Sequence, residues 1–166
     1  MRFQNRADAG RQLAGRLTAY ANRDDVVVLA LPRGGVPVAF EVARALRAPF
    51  DVFLVRKLGV PGHPELAMGA IAGGGVLVLS DDIIDELSVS ASTVEQVIVS
   101  ERRELERRER LYRGGRGRPI VTARTAILVD DGLATGATME AAVAALRLLE
   151  PARIVIAAPV GAPDTC

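Results

Sequence analysis

The chain has 166 residues, 49% of them hydrophobic and 25% charged, and its formal net charge is +1. That size supports one domain, residues 1–166, with a substantial core. Near-neutrality removes any global-charge argument for a nucleic-acid or membrane partner. The lone cysteine, Cys166, has no internal disulfide partner, the N-terminal stretch is polar, and no apolar run approaches the roughly 20 residues of a membrane span, so a soluble cytoplasmic protein is expected.

Along the chain, Asp8 is placed to cap a helix running to about Asn22, with Leu13, Leu17 and Tyr20 on one face. The run "VVVLAL" (26–31) predicts a strand buried on both faces, and "VPVAFEVARALR" (36–47) a helix spaced through Val38, Val42 and Leu46. "DVFLVR" (51–56) reads as the next strand. The turn-rich "KLGVPGHPEL" follows, and then two short strands, "AMGAIA" and "VLVLS", separated by Gly73, Gly74 and Gly75. A long helix is expected over 92–113 with Ser90 or Ser92 as cap, then a strand at 125–130, a helix at 138–149 and a final strand at 153–160. Repeated strand–helix–strand units predict an α/β fold, a Rossmann-like parallel sheet with helices on both faces. Ligands of such sheets sit beyond the carboxyl ends of the strands, here after Leu31, Val55 and Val129.

Each of those three places carries chemistry. "PRGG" (32–35) combines two glycines, which let backbone approach a ligand closely, with the fixed charge of Arg33. The pair Arg56-Lys57 suits a polyphosphate, and the loop beyond it, Leu58 to Leu66, holds the sole histidine, His63, in a segment placed to act as a mobile lid. In "AILVDDGLATGATME" (126–140), backbone amides from Ala134 to Thr138 converge at a helix start, where the dipole favours an anion, and Thr135 and Thr138 add hydroxyl donors. Asp130 and Asp131 cannot bind that anion. Vicinal sugar hydroxyls satisfy carboxylates, and so does Mg²⁺; a phosphorylated sugar accounts for both halves of the motif.

The string "ILVDDGLATGAT" closely resembles the signature of the type I phosphoribosyltransferases, and "LPRGG" and "VRK" are similar to that family's pyrophosphate loop and to the opening of its mobile catalytic loop. Order and spacing agree over roughly residues 26–160, and "RKLGVPGHPELAMGAIAGGG" is similar to a bacterial branch whose acceptor is not settled. The resemblance implies that Asp130 and Asp131 hold the ribose 2′- and 3′-hydroxyls and that Gly132, Ala134, Thr135, Gly136, Ala137 and Thr138 wrap the 5′-phosphate. It also implies that Arg33, Gly34, Gly35, Arg56 and Lys57 bind pyrophosphate, with Mg²⁺ held through the ligand and the two aspartates. The loop at Arg33 is one in which this family often has a cis non-proline peptide.

The expected reaction moves 5-phosphoribosyl from 5-phosphoribosyl-1-pyrophosphate to a nitrogen acceptor, such as a nucleobase, with Asp130, Asp131, Lys57 and Arg33 as its catalytic group. Two departures stand out: Gly132 replaces an apolar branched residue, which would loosen the turn, and Ala134 replaces a third acid present in some purine enzymes. The chain stops at "PVGAPDTC", short of the further strands and base-gripping hood of relatives, so a non-catalytic sensor of the same ligand is the alternative reading. Nucleic-acid binding through Arg102, Arg103, Arg107, Arg108, Arg110, Arg113, Arg116 and Arg118 is disfavoured, because Glu101, Glu104, Glu106 and Glu109 interleave with them. Homodimers are common in the family, although no feature of the sequence encodes one.

Overall fold

The computed structural model describes residues 3–163. The chain divides into two compact units: Met1–Phe53, Pro119–Met139 and Leu149–Cys166 form the first, Leu54–Arg118 and Glu140–Leu148 the second. Cys166 lies outside the described residues.

The first unit is built on four parallel strands: β1 (Val26–Ala30), β2 (Phe50–Val52), β6 (Thr125–Val129) and β7 (Arg153–Ala157), in the order β2-β1-β6-β7. All five residues of β1 and of β6 are buried, which is why their sequences are continuous β-branched and aliphatic runs without alternation. Helix α2 (Gly35–Leu46) turns Val38, Ala39, Val42, Ala43 and Leu46 into the core formed with Val26, Val28, Ile127 and Val129. Pro37 falls in its first turn, where the missing amide costs no helical bond.

Helix α1 (Arg6–Ala14) packs on α2 so closely that a Cβ at Gly10 would lie 2.6 Å from the Val38 carbonyl oxygen. This helix corrects the expectation of one running to Asn22. It is capped by Asn5, whose side chain accepts from the Asp8 amide at 2.9 Å; it stops at Gly15, and a separate 3₁₀ turn covers Thr18–Tyr20. Asp8 is therefore a first-turn acid that stabilises the start of the helix rather than its cap.

The second unit contains the antiparallel meander β3 (Val55–Val60), β4 (His63–Ala72) and β5 (Val76–Leu79), with α3 (Asp81–Glu86) and α4 (Ala91–Arg113). The single strand expected at 51–56 is instead two: β2 ends at Val52 in the parallel sheet, and β3 starts at Val55 in the antiparallel one. No polar or turn residue interrupts Phe53-Leu54, both buried, so the change of sheet leaves no mark in the sequence. The segment read as an irregular loop, Leu58 to Leu66, is a β-hairpin turning at Gly62 (φ +82°), with register shifts around Gly59.

Helix α4 starts at Ser90, whose hydroxyl accepts from the Thr93 amide at 3.2 Å, and ends at Gly114 in the left-handed conformation (φ +54°). The short α3 has no counterpart among the expected elements: "DDIIDE" has too few turns to establish a helical period. Helix α5 (Ala137–Arg147) starts and ends within two residues of expectation, and the last strand ends at Ala157 rather than at residue 160. Beyond it the chain turns toward Leu133, which forms a parallel bridge with Gly161. Among the described residues, no helix is long and apolar enough to cross a membrane.

Candidate functional site

The chain leaves β1 through α2 to reach β2 on one side and later enters β6 on the other, so the strand order reverses between β1 and β6. At such a switch point the loops beyond the two carboxyl ends diverge and leave a crevice. Here the ends are level: Ala30 pairs with Val129, and the Leu31 amide donates to the Val129 carbonyl at 2.9 Å. "PRGG" and "DDGLATGAT" therefore begin side by side, although about a hundred residues separate them, as the Thr125–Asp25 side-chain bond at the opposite strand ends illustrates.

The bend into α2 is made by a cis peptide between Pro32 and Arg33 and by a 3.0 Å bond from the Gly35 amide to the Leu31 carbonyl. Both glycines lie against the end of β6 and the acids that follow it. A Cβ at Gly35 would lie 2.6 Å from the Val129 carbonyl oxygen and 3.0 Å from Asp130 Cα, and one at Gly34 would run into the Asp131 carboxylate. The Arg33 side chain projects from this bend into solvent-accessible space.

The two aspartates are tied together. The Asp131 amide donates to Asp130 Oδ1 at 2.8 Å, while the Asp130 amide is held by the Ala157 carbonyl of β7 at 3.2 Å. Desolvation of the half-buried Asp130 carboxyl pushes its pKa from 3.8 up to about 6; the Asp131 amide bond opposes the shift, and the neighbouring Asp131 carboxylate adds to it. Asp131 has a partner that sequence reasoning missed. Arg6, the first residue of α1, places Nε at 2.8 Å and Nη2 at 2.7 Å from Asp131 Oδ2. No local motif marks Arg6 for this task, because its partner is 125 residues away. Among the described residues, Asp130 Oδ2 and Asp131 Oδ1 remain without a hydrogen-bond donor.

After the acids, the backbone is anchored by bonds from the Leu133 amide to the Val160 carbonyl (3.0 Å) and from the Ala162 amide to the Leu133 carbonyl (2.8 Å). These bonds correct the expectation that Gly132 loosens the turn. A Cβ there would stand 3.0 Å from Val160 Cγ2, so the small residue makes room for the returning chain. Gly136 takes φ +77° just before α5, and Thr135 Oγ1 accepts from the Ala137 amide at 3.4 Å, a weak cap. Ala134, Thr135 and Thr138 are exposed, with the first amides of α5 beside them.

The structure thus brings together Arg33, Gly34, Gly35, Asp130 and Asp131 in the first unit, with Gly132 to Thr138 continuing from the acids. Arg56, Lys57 and His63 belong to the second unit. There Arg56 Nε donates to Glu101 Oε2 of α4 at 2.6 Å, and Lys57 stands beside it on β3 without an ion pair among the described residues. His63 opens β4, exposed, with Nδ1 at 3.6 Å from Glu65 Oε1.

Level strand ends at the switch point thus set a glycine bend, two acids and a helix start next to one another in an α/β fold. Residues 2–165 match the family model of the phosphoribosyl transferase domain, and the chain belongs to that family. It is 51% identical over 162 residues to proteins of Mycobacterium tuberculosis strains CDC 1551 and H37Rv, each named "Putative phosphoribosyl transferase". That match covers 98% of this chain and 36% of the relatives, so the chain spans about a third of their length.

Among solved structures, the TT1426 protein of Thermus thermophilus superposes with a TM-score of 0.91 at 44% identity, over 99% of this chain and 78% of that one. A purine phosphoribosyltransferase from Pyrococcus horikoshii shares the fold at a TM-score of 0.57 and 18% identity, over 99% of this chain and 78% of that one. A hypoxanthine-guanine phosphoribosyltransferase from Bacillus anthracis shares it at 0.57 and 11%, over 96% and 70%.

Proposed function

We propose that this chain binds 5-phosphoribosyl-1-pyrophosphate and transfers its 5-phosphoribosyl group to a nitrogen acceptor, with inversion at C1′ and release of pyrophosphate. The observation that carries this reading is the acidic pair at the end of β6, with one carboxylate oxygen still available on each residue and the first amides of α5 following in the same loop. A vicinal diol supplies two donors to two acceptors, and a phosphate on the same sugar matches a helix start.

In this mechanism Asp130 and Asp131 hold the ribose hydroxyls and orient C1′ toward the acceptor. The amides and hydroxyls of Ala134, Thr135, Gly136, Ala137 and Thr138 hold the 5′-phosphate. The C1′–oxygen bond to pyrophosphate breaks with its electron pair on the leaving group, the C1′–nitrogen bond forms, and the acceptor's N–H proton is lost to water. Charge grows on the departing pyrophosphate, and the roles assigned to Arg33, with the backbone of Gly34 and Gly35, and to Arg56 and Lys57 are to stabilise it.

The resemblance also implies Mg²⁺. Among the described residues, no cluster of three or more His, Cys, Asp or Glu side chains is arranged to hold a metal. Mg²⁺ commonly takes one or two carboxylates and draws its other ligands from substrate phosphates and water, so Asp130 and Asp131 fit an ion that enters with its ligand. When bound, it would offset the leaving-group charge.

The site is tested by calorimetry with 5-phosphoribosyl-1-pyrophosphate and Mg²⁺. The double variant Asp130→Asn, Asp131→Asn is expected to abolish binding, and an unchanged affinity would overturn the assignment. Release of pyrophosphate across a panel of nucleobases then separates a transferase from a binding protein. Binding without turnover on any acceptor is the signature of the second.

A further inference from the structure

We infer that Arg6 is a positioning residue for the sugar-binding acids: it holds Oδ2 of Asp131 and leaves Oδ1 as that residue's acceptor for a ligand hydroxyl. The inference rests on the ligand reading above. Arg6 places both Nε and Nη2 on the same oxygen, at 2.8 and 2.7 Å, rather than spanning the carboxylate with a two-oxygen fork. Gly34 packs against the same carboxylate, its Cα so close that a Cβ would overlap both oxygens, Oδ2 first. Asp131 is therefore fixed between a guanidinium and a backbone bend. Asp130 is fixed in a parallel way, with Oδ1 taken by the Asp131 amide at 2.8 Å. One oxygen of each acid is occupied, one of each remains, and the match to two vicinal hydroxyls follows from this division.

Arg6 is itself held in place. Asn5 caps the helix that Arg6 opens, Gly10 sets that helix against α2, and Arg11 reaches Glu41 of α2 at 3.9 Å. Helix α2 begins at Gly35, in the bend that also confines Asp131. The side chain of Arg6 is 60% exposed, so the pair contributes little to stability and its effect is on the geometry of the carboxylate.

Calorimetry on the intact chain tests this with three probes: ribose 5-phosphate, which carries both diol and phosphate; inorganic phosphate, which lacks the diol; and inorganic pyrophosphate. Arg6→Ala is expected to weaken ribose 5-phosphate binding roughly fivefold, the upper range for an exposed ion pair, and to leave both inorganic probes unchanged. Arg6→Lys, which keeps the charge and one donor, is expected to recover part of that loss. Melting temperatures of both variants are expected to match the parent. Arg6→Gln carries the same expectation as Arg6→Ala should the alanine variant prove unstable.

Parental affinity for ribose 5-phosphate in Arg6→Ala would overturn the inference, and so would tighter binding, which would make Arg6 a competitor for the site. An equal loss for pyrophosphate or phosphate would overturn it as well, because Arg6 would then be a direct anion contact. If the parent chain itself fails to bind ribose 5-phosphate, the ligand reading falls and this inference falls with it. A parent that binds, beside an unaffected Arg6→Ala, removes the inference alone.

Discussion

The end of β6 and the middle of α4 both gather carboxylates, and they are treated in opposite ways. Glu104 on α4 is partly exposed and accepts from Arg107 (2.8 Å) and Arg108 (2.9 Å), which hold its pKa down to about 2. Glu109 is likewise paired, with Arg118 donating through Nε and Nη2 at 3.0 Å each. Asp130 is half-buried, sits against a second acid and has its pKa raised to about 6. Arginines on α4 and beyond it satisfy these glutamates, whereas the strand-end acids keep unused acceptor capacity in a confined space. Charge density alone does not mark a site; unspent charge held by packed backbone does.

The contrast can be broken most sharply at the glycines. Gly35→Ala forces a Cβ against the Val129 carbonyl and Asp130 Cα, which cannot move without disturbing β6, and is expected to cost about 2–3 kcal/mol in chemical denaturation. Gly117→Ala, with nothing within 4 Å of its Cβ, is expected to stay within about 0.5 kcal/mol of the parent. Equal costs would show that the close approach at the switch point is not what constrains the sequence.

The next effect is a matter of sign. A carboxyl whose pKa rises on folding binds protons more tightly in the native state, so Asp130 supports stability below pH 4 and that support is lost as pH climbs through about 6. After allowance for screening of a half-exposed group, the effect is on the order of 1–2 kcal/mol. Asp130→Asn is expected to flatten this slope in melts taken between pH 4 and 7. Glu104 has the opposite sign: its contribution is present above about pH 4.5 and fades as pH falls toward 2. A smaller change is expected from Glu101→Gln, which releases Arg56 from a partly buried pair and costs about 1 kcal/mol or less. The smallest is Glu104→Gln, which is expected to lower the melting temperature slightly at pH 7, a difference that shrinks as pH falls toward 2.

Much of the framework was legible because it is written locally. Continuous aliphatic runs marked β1 and β6, a 3.6-residue period marked α2, and Ser90 and Gly114 bracketed α4. The "DDGLATGAT" and "PRGG" strings were readable as glycine-bearing loops at strand ends, and the level ends of β1 and β6 set them side by side. The division of "DVFLVR" between two sheets was not readable, because strand pairing is chosen by distant partners and nothing in Phe53-Leu54 signals a change. The hairpin from Val55 to Ala72 was hidden for a related reason: Gly59, Pro61, Gly62 and Pro64 carry the marks of a loop, and only cross-strand bonding makes them strand and turn.

The sequence by itself determined an α/β chain with an acidic pair and a glycine-bearing loop at the end of one buried strand, since burial pattern and glycine placement act over a few residues. Only the tertiary structure decided which oxygens of that pair remain free. That depends on Arg6, which α1 brings to Asp131 from 125 residues away, and on the turn that sets the Asp131 amide on Asp130 Oδ1.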